Sequence, residues 1–186
     1  MRVDEIYPKK NYPEGEICEY KNENSFRTTS AEMREKDKLL DESIKNLRKA
    51  AECQRTVRKW VQTYMRPGVR LIDICNKLED LNRYLVSENG LHAGIAFPTG
   101  CSVNNVAAHF SPNPGDDDLV LKYDDVCKID FGTQVEGRII DSAFTVAFNP
   151  VYDNLLLASK EATNTGVREV NKLLKIELIF FRLVLM

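Results

Sequence analysis

The chain has 186 residues, 43% hydrophobic and 29% charged, with a formal net charge of -2 at pH 7. That is enough chain for one domain with a real core and too little for two. The charge balance offers no basic field for nucleic acid and no polybasic membrane patch, so a membrane partner is excluded and a nucleic-acid partner is disfavoured.

The opening stretch, MRVDEIYPKKNYPEGE, is polar and broken by prolines, unlike a signal peptide. Residues 1–28 read as an extended N-terminal arm. Thr29, Ser30, Ala31 and Glu32 have the spacing of a capping box. A long amphipathic helix is predicted to follow, with Leu40, Ile44, Leu47, Ala51, Val57, Val61 and Tyr64 along one stripe. Arg66, Pro67 and Gly68 end it, because proline cannot continue the hydrogen-bond ladder. A second helix fits 71–87, with Leu71, Ile74, Cys75, Leu78, Leu81 and Leu85 inward and Asn89 and Gly90 closing it.

From there the period changes. GIAFPTG, SVNNVAAH, DVCKIDFG and GRIIDSAFTVAF are short β-branched and aromatic runs separated by Gly, Pro and Asp, the pattern of strands. SPNPGDDDLVL, between His109 and Lys122, is a turn-rich loop. A helical pattern resumes after Asn149 and Pro150. Residues 167–186 form a divergent apolar tail, too short to span a bilayer, which takes about 20 apolar residues. The five cysteines (Cys18, Cys53, Cys75, Cys101 and Cys127) are odd in number and contain no CxxC pair. They read as reduced, buried thiols in a cytoplasmic protein.

Two aspartates, Asp130 and Asp141, interrupt the apolar runs of CKIDFGTQVEGRIIDSAFTV. In a hairpin turning on Val135 and Glu136 they face each other directly; turning on Glu136 and Gly137 makes them diagonal neighbours. Both options put them on one face, because strand side chains alternate with a period of two. Carboxylates that close repel unless protonated or bridged by cations, and two divalent ions about 3.5–4 Å apart would fit between them. The bland alternative is one aspartate capping a turn and the other paired with Arg138 or Lys128. His109, alone after an apolar run, is by itself an ordinary partly buried histidine. His92 reads as surface.

FPTGCSVNNVAAHFSPNPGDD, YDDVCKIDFGTQVEGRIIDSAFTVAFNPVYDNLL and EATNTG, with RTTSAEMR and RPGVRLIDICNKLED before them, closely resemble the type 2 methionine aminopeptidases of the pita-bread metallopeptidase family. The similarity runs from about Ile6 to Gly166. It implies an α+β fold of the pita-bread (creatinase/aminopeptidase-like) kind, of which residues 29–166 are the first half: an antiparallel sheet with the aspartate hairpin, covered by long helices. It further implies a site for two divalent metal ions (Co, Mn, Fe or Zn) with Asp130 and Asp141 as ligands. His109 is the implied catalytic, substrate-contacting histidine, and Phe97 and Gly100 are the implied walls of the methionine pocket.

The reaction implied is metal-dependent removal of the initiator methionine from nascent polypeptides, with the ribosome as a further partner. In that family a histidine and two glutamates from the second half complete the ligand set. No histidine follows His109 here. This chain is therefore expected to bind metal weakly and to be inactive alone. Two other readings stand beside this one. One is a non-catalytic pita-bread module associated with ribosome or RNA, whose relatives typically lose the aspartates retained here. The other is a proline-specific peptidase of the same fold.

Overall fold

The computed structural model describes residues 1–14, 30–116 and 118–174. The second half of the expected arm, the Thr29 start of the capping box, Cys18 and the tail from 175 onward lie outside the described residues. A one-turn helix α1 (Val3–Ile6) opens the chain. It is followed by α2 (Ser30–Tyr64), α3 (Leu71–Val86), strands β1 (Ala93–Ile95), β2 (Gly100–Val103), β3 (Val126–Val135) and β4 (Arg138–Ala147), a 3-10 turn (Pro150–Tyr152) and α4 (Asp153–Leu174). The architecture is the α+β class expected, with an antiparallel sheet and long helices over it.

Strand β3 is the centre of the sheet. β4 pairs with its whole length, while β1 pairs with positions 133–135 and β2 with positions 127–130. The alternation of burial follows the pleat. Cys127, Ile129, Phe131, Thr133 and Val135 of β3 and Ile140, Ser142 and Phe144 of β4 are buried. α2 packs against β3 and β4, contributing Leu47, Ala50, Cys53, Val57 and Val61 to one continuous core. α3 lies beside α2 and supplies Leu71, Ile74, Leu78, Leu85 and Val86.

Three local outcomes differ from the sequence reading. α3 ends within one residue of the expected 87, but Ser87 and not Asn89 and Gly90 closes it: Ser87 takes a left-handed conformation (φ 60°), and Glu88 N–H donates to the Arg83 carbonyl at 2.9 Å, satisfying a carbonyl the helix end leaves free. GIAFPTG is not one strand; β1 stops at Ile95, and residues 96–99 cross the edge of β3 before β2 begins. SVNNVAAH is strand only to Val103. There Asn104 turns the chain at φ 54°, with its side chain accepting from Val126 N–H at 3.0 Å and donating to Asp125 at 2.8 Å. A short polar side chain that can bond the local backbone is what makes that left-handed turn tolerable.

α4 has few neighbours. Leu155 and Leu157 are 61% and 57% exposed, so its apolar residues find no core among the described residues. No helix in the described residues is long and apolar enough to cross a membrane.

Candidate metal and substrate site

The β3–β4 hairpin settles the register the sequence left open. Val135 pairs with Arg138, so the two turn residues are Glu136 and Gly137, both with positive φ (50° and 71°). Two consecutive left-handed residues give the turn whose twist matches that of the flanking strands. In this register Asp130 is opposite Ala143 and Asp141 is opposite Gly132. The two aspartates are diagonal neighbours on the face turned away from α2.

Neither aspartate follows the bland alternative. Lys128 donates instead to the Asn104 carbonyl at 2.7 Å, and no ion pair engages either carboxylate among the described residues. Asp130 Oδ1 is buried with no hydrogen-bond partner. Burial raises the Asp130 carboxyl above the ordinary range, as do the charge and hydrogen-bonding proximity of Asp141, while the charge of His109 works in the opposite direction. An orphaned carboxylate oxygen beside a second carboxylate is costly as it stands. A hard divalent cation between them removes both costs at once. The donor set therefore fits such an ion. It is incomplete, since no group of three or more His, Cys, Asp or Glu is disposed to hold a metal among the described residues.

Gly100 and Phe97 come to the same face by different routes, and His109 comes within electrostatic reach of it. Gly100 of β2 is directly opposite Asp130, and a Cβ built on it would meet Asp130 Cβ at 3.3 Å. The glycine thus leaves the space beside the carboxylate clear. Phe97, in the 96–99 crossing, lies on Gly132: a Cβ there would be 2.5 Å from Phe97 Cε1 and 2.8 Å from Ala96 Cβ. Its ring is therefore beside the strand positions that carry both aspartates. His109 sits in the loop after β2, exposed and at φ 63°, and is close enough for its charge to act on Asp130. His92 is far along the sheet at the hairpin end, exposed and paired with Glu136 at 3.0 Å.

Two residues of this site escape the motif reading, although each carries a signal in the sequence. Gly132 follows Asp130 by two, the position sharing its face, where only a glycine lets Phe97 approach. Asn82 is fully buried four residues after Leu78, in the inward stripe of α3. A polar residue in an apolar stripe asks for a partner, and Asn82 has several.

A model of metallopeptidase family M24 matches residues 45–177. Methionine aminopeptidase 2A of Arabidopsis thaliana is 56% identical over 167 residues, covering 90% of this chain and 38% of its own length. Methionine aminopeptidase 2 of Schizophyllum commune is 52% identical over 171 residues, with 90% and 40% covered. Methionine aminopeptidase 2-1 of Pyrenophora teres f. teres is 48% identical over 175 residues, with 91% and 38% covered. The chain spans about two fifths of the length of these curated relatives.

Proposed function

Because the chain belongs to metallopeptidase family M24, we propose that it forms the two-carboxylate side of a divalent-metal aminopeptidase site. The reaction we assign to that site is release of the initiator methionine from nascent polypeptides; the relatives it matches are named methionine aminopeptidases. The single observation that carries the reading is the buried, unpartnered Asp130 Oδ1 beside Asp141 on an open sheet face.

In this reading Asp130 and Asp141 hold the ions, with Co, Mn, Fe and Zn all suited to an oxygen-rich set that imidazole can complete. Divalent ions bound there supply the Lewis acidity that peptide hydrolysis at neutral pH requires. His109 contacts the substrate carbonyl from the loop after β2. Phe97, packed against Gly132, offers an apolar wall to the first side chain, and Gly100 keeps the carboxylate approach open. Nascent chains are the substrates of this half-site, at or near the ribosome in the cytoplasm.

Free Mn(II), counted by electron paramagnetic resonance during titration of the purified chain, tests this. Two carboxylates without an imidazole predict weak binding that Asp130→Asn or Asp141→Asn abolishes. Binding unchanged by both substitutions would sink the assignment.

A further inference from the structure

The Gly132 carbonyl lies where the sheet edge is interrupted. β1 leaves β3 after pairing Ile95 with Thr133, and β2 joins it only at Asp130, so on this edge, opposite β4, the stretch between lacks a regular partner strand. Two donors meet the carbonyl in that gap: Ala96 N–H at 3.0 Å and Asn82 Nδ2 at 3.1 Å. The Asn82 amide is itself fixed. Its Oδ1 accepts from Thr133 Oγ1 at 2.8 Å and from the Cys53 thiol at 3.3 Å, so its amino group can only point at Gly132. All of this is buried, where a satisfied polar network is rigid and a broken one is costly.

Gly132 is also the residue paired directly with Asp141 and two positions from Asp130. We propose that Asn82 is a positioning residue for the aspartate pair, acting through the Gly132 carbonyl. A helix on the core side thereby holds the strand on whose outer face the two carboxylates converge. Outer partners of metal ligands act in this way, setting ligand orientation without touching the ion. An asparagine that only satisfied core polarity could sit anywhere along α3. This one is bonded at the gap beneath the site. The inference rests on the metal-binding reading above.

The test compares Mn(II) affinity, by electron paramagnetic resonance, in the full chain and in its Asn82→Ala and Leu78→Ala variants. Leu78 is fully buried one turn earlier on α3 and carries no polar group that could bond β3. Asn82→Ala is expected to weaken Mn(II) binding roughly tenfold, the low end of what outer partners give, while Leu78→Ala stays within about twofold of the unsubstituted chain. If Asn82→Ala does not fold, by circular dichroism, Thr133→Val decides instead. It removes the hydroxyl that orients the amide and is expected to weaken binding measurably, short of the loss in Asn82→Ala. Equal loss in the asparagine and leucine variants, or none in Thr133→Val, overturns the positioning role alone. No Mn(II) binding by the unsubstituted chain overturns the metal reading and this role with it.

Discussion

Asp130 and Asp141 stand diagonally across the β3–β4 hairpin, because the turn is centred on Glu136 and Gly137 and not one residue earlier. A shift of one residue would keep them facing but would move Gly132 out from opposite Asp141, and with it the bed on which Phe97 lies. The turn is therefore part of the site. Glu136 is its weak point, a non-glycine residue held at φ 50°. Glu136→Asn produces the Asn-Gly pair favoured in such turns. It should raise stability by about 0.5 kcal/mol even though it removes the exposed ion pair with His92, since surface pairs contribute little. A urea midpoint below that of the unsubstituted chain would contradict this.

Gly132→Ala should cost about 1–3 kcal/mol, the usual range for overpacking, because its Cβ would fall 2.5 Å from Phe97 Cε1. In a Phe97→Leu background the same change should cost less, with the part due to Ala96 Cβ, 2.8 Å from the added atom, remaining. The coupling is read from urea unfolding of the four chains, and identical costs in both backgrounds would mean that Phe97 does not rest on Gly132.

Burial pushes the Cys53 thiol from its ordinary value near 9.0 up to about 12. A raised thiol value means that the folded state holds its proton more tightly than the unfolded state does. Its contribution to stability is complete below about pH 9 and is lost as pH rises towards 12. The unfolding midpoint should thus fall more steeply between about pH 9 and pH 12 in the native chain than in Cys53→Ala. Parallel curves would contradict the shift.

Leu155 and Leu157 of α4 are more than half exposed. Replacing both by Lys should leave stability within about 0.5 kcal/mol and reduce self-association in sedimentation velocity, since exposed apolar patches drive contact between copies. A lowered unfolding midpoint would show that these leucines are packed.

Much of this was readable in advance, for identifiable reasons. The stripe Leu47, Ala51, Val57 and Val61 announced α2 because a helix buries one face with a fixed period, and the alternation around Asp130 and Asp141 announced the hairpin in the same way. Parity put the aspartates on one face whichever turn formed. Parity could not choose between direct and diagonal pairing, because that depends on whether Glu136 accepts a left-handed conformation. The break at 96–99 and the loop that carries His109 were hidden for a related reason. SVNNVAAH has strand composition, and only the bonds of Asn104 to Asp125 and Val126, more than 20 residues away, end the strand at Val103. Asn82 shows the limit from the other side: its place in the stripe was visible, but its partner at Gly132 is 50 residues distant.

Everything proposed for the site depends on Asp130 and Asp141 converging to hold divalent metal. Anomalous diffraction at the manganese edge, from crystals of the chain grown with Mn(II), puts that convergence to the test without recourse to activity. A peak is expected between the two carboxylates, within reach of Asp130 Oδ1. Ordered carboxylates with no peak between them, or a peak only at other residues, would contradict it.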